Sequence, residues 1–252
     1  MPGTRVFAFC GKGGVGKTAL SACLARLLSA DPTRKVLAVD ADPAMGLADA
    51  LGMAVSTTVD EIRTGFIGEV KAGHSGTRDE VRARLDYAVF SALAERDNLA
   101  FLAVGRPETE GCYCQVNEFL KEIIASLAGH FDWVIIDGEA GIEQISRRVM
   151  ERVTDLVLVS DPSARGLRVA ATLGQVADTL LPPHRAHLIL NRVADPQEAR
   201  DPHLPQTIPL AGRVAEDPLL RRCDIRGESL LNLSASPALE AVKALLPRLL
   251  EK

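Results

Sequence analysis

Short apolar runs alternate with segments of helical periodicity along most of this chain. Residues 5–10, RVFAFC, are apolar after the first position, as expected of a strand buried on both faces of a sheet. Residues 18–30, TALSACLARLLSA, carry leucines at helical spacing, which predicts a helix. Further strands are predicted at 35–39, 99–104, 132–137, 154–160 and 186–191, with helices near 115–128, 143–152 and 166–180. The alternation predicts an α/β fold with a mostly parallel central sheet and helices on both faces.

Two stretches depart from this alternation. Residues 54–98 have the least regular pattern, and residues 78–97 within them are predicted to form one helix. Its inward positions are Val81, Leu85, Val89 and Leu93. Near the C-terminus, Ser236 is predicted to cap a packing helix that starts at Pro237 and is interrupted by Pro247 in its last turn.

A glycine-rich segment follows the first strand directly. It reads GKGGVGKT, which satisfies the phosphate-binding loop pattern in its required place between a strand and a helix. Such a loop points backbone N–H groups at phosphate oxygens, and the helix N-terminus adds positive charge. We expect Lys17 to reach the β- and γ-phosphates and Thr18 to ligate Mg²⁺. The residues predicted to bind nucleotide here are Gly11, Lys12, Gly13, Gly14, Val15, Gly16, Lys17, Thr18 and Ala19.

Carboxylates stand at the ends of two predicted strands. Asp40 and Asp42 follow the second strand, and Asp137 ends the strand DWVIID. Because the carboxyl ends of parallel strands share one edge, Asp137 is placed where a carboxylate can hold Mg²⁺ through water. Asp40 and Asp42 also fit a helix-capping role, and the two roles can coexist.

Two cysteines lie one residue apart in EGCYCQ, between a predicted strand and a predicted helix. An extended Cys-x-Cys directs both thiols the same way, with Cα atoms ~6.5 Å apart. Cys112 and Cys114 therefore suit a soft metal such as zinc, nickel or copper(I), or an iron–sulfur cluster. A closed thiolate site needs four ligands, which two copies of the chain would supply at a twofold axis. The alternative is that they are small buried side chains, as predicted for Cys10 and Cys23.

Composition limits the classes of binding partner and the cellular compartment that we expect for this protein. The chain has 252 residues, 47% of them hydrophobic, and no repeat or linker interrupts it, so residues 1–252 are predicted to form a single domain. A net charge of −4 gives no electrostatic basis for binding nucleic acid or an anionic membrane. The five cysteines are scattered, and no secretion signal or membrane-spanning run is found, which predicts a cytoplasmic protein with reduced thiols.

Lys12, the second residue of the glycine-rich loop, completes the sequence KGGVGKT. This sequence resembles the signature of the deviant Walker A family of P-loop ATPases. That family includes MinD, ParA, the arsenite-pump ATPase and the nitrogenase iron protein. The resemblance implies a homodimer with ATP or ADP at the interface, in which Lys12 of one subunit contacts the phosphates of the other. DADP resembles the first switch, which implies that Asp42 positions the attacking water and that Asp40 lies near Mg²⁺. WVIIDGEAGIE resembles the Walker B strand and the second switch.

The same resemblance implies the base contacts. Asn191, after the strand HLIL, resembles the family's adenine-contacting asparagine, and the segment IPLAGRVAEDP implies contacts from Pro209 and Leu210. A guanine site would need a carboxylate three residues after the asparagine, where this chain has Ala194, and Asp195 comes one residue late. ATP is therefore expected rather than GTP.

Four segments in order, GKGGVGKT, DADP, GCYC and DGEAGIE, resemble the carbon monoxide dehydrogenase maturation ATPases over nearly the whole chain. The resemblance implies an ATP-dependent dimer that binds nickel through paired Cys-x-Cys motifs and assists its insertion into carbon monoxide dehydrogenase. Zinc is expected as a competing metal in the isolated protein. Two other functions stay open: a reductase-type ATPase with a bridging iron–sulfur cluster, and a MinD- or ParA-like positioning ATPase.

Overall fold

The computed structural model describes residues 3–72, 76–105, 114–138, 153–182, 184–194 and 208–251, with the backbone alone for 114–117. The strands are β1 (Arg5–Cys10), β2 (Val36–Asp40), β3 (Ala94–Arg96), β4 (Leu99–Ala103), β5 (Trp133–Asp137), β6 (Asp155–Ser160), β7 (Arg185–Val193) and β8 (Leu210–Ala215). The helices are α1 (Lys17–Leu28), α2 (Gly46–Leu51), α3 (Val59–Lys71), α4 (Arg78–Ser91), α5 (Cys114–Ala128), α6 (Ala164–Leu180), α7 (Pro218–Arg226) and α8 (Pro237–Leu250), with a 3₁₀ turn at Leu230–Asn232. Every strand predicted above is present, with ends shifted by at most two residues. The helix predicted near 143–152 lies outside the described residues.

The described strands form one sheet in the order β3-β4-β2-β5-β1-β6-β7-β8. Every neighbouring pair is parallel except β3 and β4, which are antiparallel. The carboxyl ends of all strands except β3 therefore lie at one edge, which we name the carboxyl edge, and the opposite edge is the amino edge. The predicted α/β fold with a mostly parallel sheet is confirmed.

Side chains alternate across the sheet and build a core on each face. Ala8 and Leu102 belong to a core that includes residues of α3, α4, α5 and α6, whereas Phe7 belongs to a core with residues of α1, α2 and α8. Helices thus cover both faces, as predicted. Cys10 and Cys23 lie inside these cores, and burial raises the pKa of each thiol to about 12. Both therefore act as small apolar side chains.

Threonine caps define two helices in the stretch with the least regular pattern. The Thr58 hydroxyl accepts a hydrogen bond from the Glu61 N–H, and the Glu61 carboxylate accepts one from the Thr58 N–H. This capping box starts α3, and Thr77 and Glu80 repeat it at α4. The sequence analysis missed α3, although the Thr-x-x-Glu signal stands in the sequence.

The prediction of one helix over residues 78–97 is wrong at its C-terminal end. Helix α4 ends at Ser91, and Ala94–Arg96 form β3, which pairs antiparallel with β4. Asp97, with a φ of 56°, lies in the turn between these strands. Leu93 still packs against the core, as the apolar pattern predicts. The backbone of the residues after it forms strand hydrogen bonds instead of helical ones.

The C-terminal helix starts as predicted and ends later than predicted. Ser236 caps α8 and Pro237 is its first residue. The predicted interruption at Pro247 is wrong, because Leu245 and Leu249 on either side of it are buried, and their packing outweighs one missing hydrogen bond. In the described part of the chain, no helix has the length and apolar content needed to span a membrane.

A buried carboxylate at the amino edge ties the end of α8 to the sheet. Asp155 accepts hydrogen bonds from Arg5 at 2.7 and 3.2 Å and from Arg185 at 2.9 and 3.1 Å, and it lies 3.2 Å from His187. The same two guanidinium groups donate to backbone carbonyls at the end of α8. Burial alone would raise the pKa of Asp155, but its hydrogen bonds outweigh burial and hold the pKa well below the ordinary range.

We predict that Asp155→Asn lowers the free energy of unfolding by about 2–4 kcal/mol, because it leaves two partly buried guanidinium groups without their buried counter-charge. Since the folded-state pKa is depressed, this stabilisation is present above about pH 4 and is lost as the pH falls below it. Asp132→Asn is the control, because Asp132 forms a partly exposed pair with Arg34 whose loss should cost at most about 1 kcal/mol. Urea denaturation at neutral pH measures both, and equal losses would contradict the prediction.

Candidate nucleotide-binding site

The glycine-rich loop joins β1 to α1 at the carboxyl edge, as the sequence predicts. A Cβ on Gly11 would overlap the carbonyl oxygen of Val159 on the neighbouring β6, so only glycine fits this close approach. Gly16 caps α1 with a φ of 91°, and a Cβ there would overlap the side-chain amide of Asn191. Neighbouring strands therefore dictate the glycines at both ends of the loop.

Lys17 lies across the inside of this loop. Its side chain is buried, and its ammonium group donates to the carbonyls of Gly11 at 3.2 Å and Lys12 at 3.4 Å. These are weak neutral acceptors for a buried cation. A phosphate entering the loop would offer charged oxygens to the same ammonium group, so the arrangement suits an anionic ligand.

Asp137 carries a buried oxygen without a partner. Its Oδ1 accepts a hydrogen bond from the Ser21 hydroxyl at 3.3 Å, and the Thr18 side chain also interacts with the carboxylate. Its Oδ2 has no hydrogen-bond partner among the described residues. Burial raises the pKa of Asp137 to about 7, and the negative charge of Asp40 adds to the shift. An orphaned carboxylate oxygen beside the Thr18 hydroxyl fits Mg²⁺, which prefers oxygen ligands and keeps several waters.

Asp40 and Asp42 both bind backbone N–H groups. Asp40 stands opposite Asp137 across the β2–β5 pair, and its oxygens accept from the N–H groups of Asp42, at 3.0 Å, and Leu47, at 2.8 Å. Burial raises the pKa of Asp40 to about 6. Asp42 accepts from the Ala44 N–H at 2.9 Å and is half-exposed. The helix-capping role therefore holds for Asp40, which secures the first turn of α2.

A cleft of about 560 Å³ opens beside the loop, where the base and ribose of a nucleotide would lie. Asn191 lines it, and its amide donates to the Val15 carbonyl at 2.8 Å. Pro209 and Leu210, predicted to contact adenine, lie at the start of β8 beside Leu188 and are not among the residues that line the cleft. The last residue of β8 and the residues that follow it line the cleft, and the sequence analysis missed them: Ala215, Glu216, Asp217, Leu220 and Arg221.

Asp217 is structural rather than a base acceptor. Its Oδ1 accepts from the Leu219 N–H at 2.8 Å and its Oδ2 accepts from the Ala238 N–H at 2.9 Å. It therefore caps α7 and joins it to α8. Both oxygens of Asp217 therefore serve the start of α7 and its link to α8, and the expectation of ATP rather than GTP stays a prediction.

Lys12 points away from the loop interior to the surface of the carboxyl edge. Its ammonium group lies 3.6 Å from the Asp161 carboxylate, and the two side chains are 34% and 29% exposed. Asp161 follows the last residue of β6. The predicted cross-subunit lysine is thus exposed where a second copy of the chain could reach it.

Strand β4, which precedes the cysteine pair in the sequence, ends at this same edge. Residues 106–114, which we name the cysteine segment, connect the end of β4 to α5. Cys112 lies outside the described residues, and Cys114 is the first residue of α5, with its side chain also outside them. Within the described part of the chain, no three His, Cys, Asp or Glu side chains form a metal-binding group.

We predict that Mg²⁺ affinity in the presence of ADP rises about tenfold from pH 6 to pH 8, because a proton on Asp137, whose pKa is about 7, competes with the ion. Calorimetric titration at several pH values measures this. Asp137→Asn should weaken binding at pH 8 and leave only the pH dependence of the nucleotide phosphates. Asp49→Asn, an exposed acid of the same cleft, should behave like the wild type. An unchanged slope in Asp137→Asn would contradict the assignment.

Comparison with known proteins places the chain among nucleotide-binding relatives. Residues 4–140 match the family described as anion-transporting ATPase. The chain is 36% identical to an ATP-binding protein of uncharacterised function from Methanocaldococcus jannaschii, over 90% of this chain and 91% of that protein. It is 30% identical to the carbon monoxide dehydrogenase accessory protein CooC of Rhodospirillum rubrum, over 97% of this chain and 96% of that protein.

A solved structure with the same fold was determined with a nucleotide and a metal ion bound. The septum site-determining protein MinD of Pyrococcus horikoshii, complexed with Mg-ADP, superposes with a TM-score of 0.66 at 25% identity, covering 97% of this chain and 95% of that chain. Its nucleotide and metal agree with the chemistry of the loop and Asp137 described above. The chain therefore belongs to the anion-transporting ATPase family and is a P-loop ATPase of the type that includes MinD and ParA.

Proposed function

We propose that the protein is an ATP-dependent dimeric metallochaperone. Its cargo is nickel, bound through Cys112 and Cys114, and its client is carbon monoxide dehydrogenase, whose active-site cluster receives the metal. The observation that carries the proposal is a Cys-x-Cys pair that follows β4 in the sequence, a strand that ends at the edge of the phosphate loop. The 30% identity to CooC over 97% of the chain supports the choice of client. The reaction is assigned to the cytoplasm, where thiols stay reduced.

In the proposed nucleotide step, residues 11–19 bind the phosphates of ATP and Lys17 neutralises their charge. Thr18 and Asp137 hold Mg²⁺, with Asp40 supporting the site from the neighbouring strand. The half-exposed Asp42 positions the attacking water. Lys12 acts across the dimer, where a cation near the transferring phosphate stabilises the charge of the transition state.

The adenine of ATP is assigned to the cleft beside Asn191. The asparagine amide nitrogen already donates to the Val15 carbonyl, so its carbonyl oxygen is the group proposed to face the base. The walls after β8, with Leu220 and Ala215, supply apolar contact. Pro209 and Leu210 are left out of this assignment because of their place at the start of β8.

In the proposed metal step, each subunit supplies two thiolates and the dimer supplies four. Nickel and zinc both bind thiolates, nickel in square-planar and zinc in tetrahedral geometry. Four sulfur ligands make a closed site for one ion, whereas two leave it open to exchange. Association and dissociation of the dimer would therefore switch the site between holding and releasing its cargo.

Backbone hydrogen bonds support a link between the two steps. The Val104 N–H, just after β4, donates to the Asp40 carbonyl at 2.8 Å, and the Val104 carbonyl accepts from the Asp60 N–H at 2.9 Å. Gly105, with a φ of 85°, then packs on Thr58 immediately before the cysteine segment. Movement of Asp40 on binding Mg²⁺ and nucleotide would therefore reach the start of that segment through three residues.

We predict that Cys112→Ala and Cys114→Ala each abolish stoichiometric nickel binding and leave ATP affinity unchanged. The wild type should hold about half an equivalent of metal per chain, because four thiolates from two chains bind one ion. Elemental analysis of anaerobically purified protein, with and without a non-hydrolysable ATP analogue, measures this. Cys223→Ala is the control, since Cys223 is buried in the core. Unchanged metal content in either test variant would reject the site.

The same experiment separates the two other functions. Iron with an equal amount of acid-labile sulfide would favour the reductase-type ATPase, since a cluster also takes four thiolates. Absence of bound metal together with ATP-dependent co-sedimentation with lipid vesicles or DNA would favour a MinD- or ParA-like positioning role. The 26% identity to MinD of Bacillus subtilis over 90% of the chain is the observation behind that second candidate.

We predict that Gly105→Ala uncouples metal from nucleotide. An alanine at this positive φ is strained by about 1 kcal/mol, and its Cβ would lie 2.7 Å from Thr58. The effect of the ATP analogue on nickel affinity should fall to less than half of its wild-type size, with ATP affinity unchanged. Gly68→Ala in α3, where a Cβ meets no atom within 4 Å, is the control. Full retention of the coupling would remove this path from the mechanism.

A further inference from the structure

The carboxylate that faces Lys12 is held in one orientation. The Oδ1 of Asp161 accepts hydrogen bonds from the N–H of Ser163, at 3.1 Å, and from the Ser163 hydroxyl. A Cβ on Gly166 would overlap this Oδ1, so α6 approaches the carboxylate as closely as glycine allows. The Ser163 hydroxyl also caps α6 by accepting from the Gly166 N–H. Rotation of the carboxylate would therefore break both hydrogen bonds from Ser163, the residue that caps α6.

This fixed orientation points the second oxygen at Lys12. The Oδ2 of Asp161 lies 3.6 Å from the Lys12 ammonium group. Burial alone would raise the pKa of Asp161, but the hydrogen bonds of Ser163 and the charge of Lys12 outweigh it and lower the pKa. The carboxylate is therefore charged throughout the neutral range, and Lys12 faces a negative charge on its own subunit.

We infer that Asp161 is a positioning residue that restrains Lys12 on its own subunit until nucleotide closes the dimer. The inference rests on the proposed function, because Lys12 must reach the phosphates of a second copy. Lys12 cannot hold its position against Asp161 and extend to those phosphates at the same time. On closure, phosphate oxygens of the second subunit's nucleotide therefore take the place of the Asp161 carboxylate as the partner of Lys12. Only a nucleotide that places enough negative charge beside Lys12 completes this exchange.

The expected effect is modest and measurable. A partly exposed ion pair shifts an equilibrium by about 1.5- to 5-fold. A symmetric dimer breaks two such pairs on closing, so removal of the carboxylate should favour closure by about 2- to 25-fold. Asp161 takes no part in the closed state under this inference, and kcat should stay unchanged.

The test uses the full chain with Asp161→Asn, which keeps an acceptor for Ser163 and removes the charge. Analytical ultracentrifugation gives the concentration of a non-hydrolysable ATP analogue that dimerises half of the protein. Because two nucleotides bind per dimer, this concentration varies as the square root of the closure constant, and we expect it to fall by about 1.5- to 5-fold, with an equal melting temperature and an equal kcat. Asp132→Asn, which removes another partly exposed ion pair, is the control and should leave the concentration unchanged. Asp161→Ser, which removes the carboxylate altogether, should give the same shift.

A double-mutant comparison shows whether the effect passes through Lys12. In a Lys12→Ala background, Asp161→Asn should change the half-maximal concentration by less than about 1.5-fold, because the partner is already absent. One result would overturn the restraint alone: Lys12→Ala impairs dimerisation, but Asp161→Asn needs as much nucleotide as the wild type, or more. The proposed dimer mechanism would then stand without the restraint. If Lys12→Ala dimerises and hydrolyses ATP normally, the cross-subunit role fails and the restraint fails with it.

Discussion

Parallel pairing of the central strands is the constraint on which the rest of the molecule depends. Because β1, β2, β4 and β5 run in one direction, the phosphate loop, Asp40, Asp137 and the start of the cysteine segment all leave the sheet at one edge. These groups are far apart in sequence. Hydrogen bonds between strand ends then bring them into register, from the Ala41 N–H to the Asp137 carbonyl and from the Val104 N–H to the Asp40 carbonyl. The direction and order of the strands bring the parts of the site to one edge, and the side chains then determine its chemistry.

The carboxyl edge is electrostatically incomplete without its ligands. Two carboxylates face each other in register, and burial raises the pKa of each toward neutrality. One cation, Lys17, lies inside the loop and donates to carbonyl oxygens. Such an arrangement lowers the stability of the free protein, which is a common feature of functional sites. Mg²⁺ and phosphate would satisfy both signs of charge together, so nucleotide binding and order at this edge are thermodynamically linked.

The parts of the molecule that sequence reasoning predicted are those fixed by local pattern. Buried strands, the GKGGVGKT loop and the Ser236–Pro237 start of α8 follow from the order of apolar residues, glycines and caps. The errors come from long-range packing. Strand β3 forms because β4 offers it hydrogen bonds, and α8 continues past Pro247 because buried leucines hold it. Pro209 and Leu210 were predicted to contact adenine by resemblance alone. Their place at the start of β8 follows from the register of that strand in the sheet, which the sequence does not show. The Lys12–Asp161 pair joins loops that follow different strands, and no spacing rule predicts it.

The position of the Asp155 cluster has a consequence for how the protein can change during evolution. It binds β1, β6, β7 and the end of α8 at the amino edge, with groups that contact nothing at the nucleotide cleft. The scaffold is thus anchored on the side opposite to its chemistry. Insertions, deletions or exchanges in the connections at the other side can accumulate without unravelling the framework. Descendants of one ancestral chain could in this way diverge in the connections at the carboxyl edge while keeping the same sheet and phosphate loop.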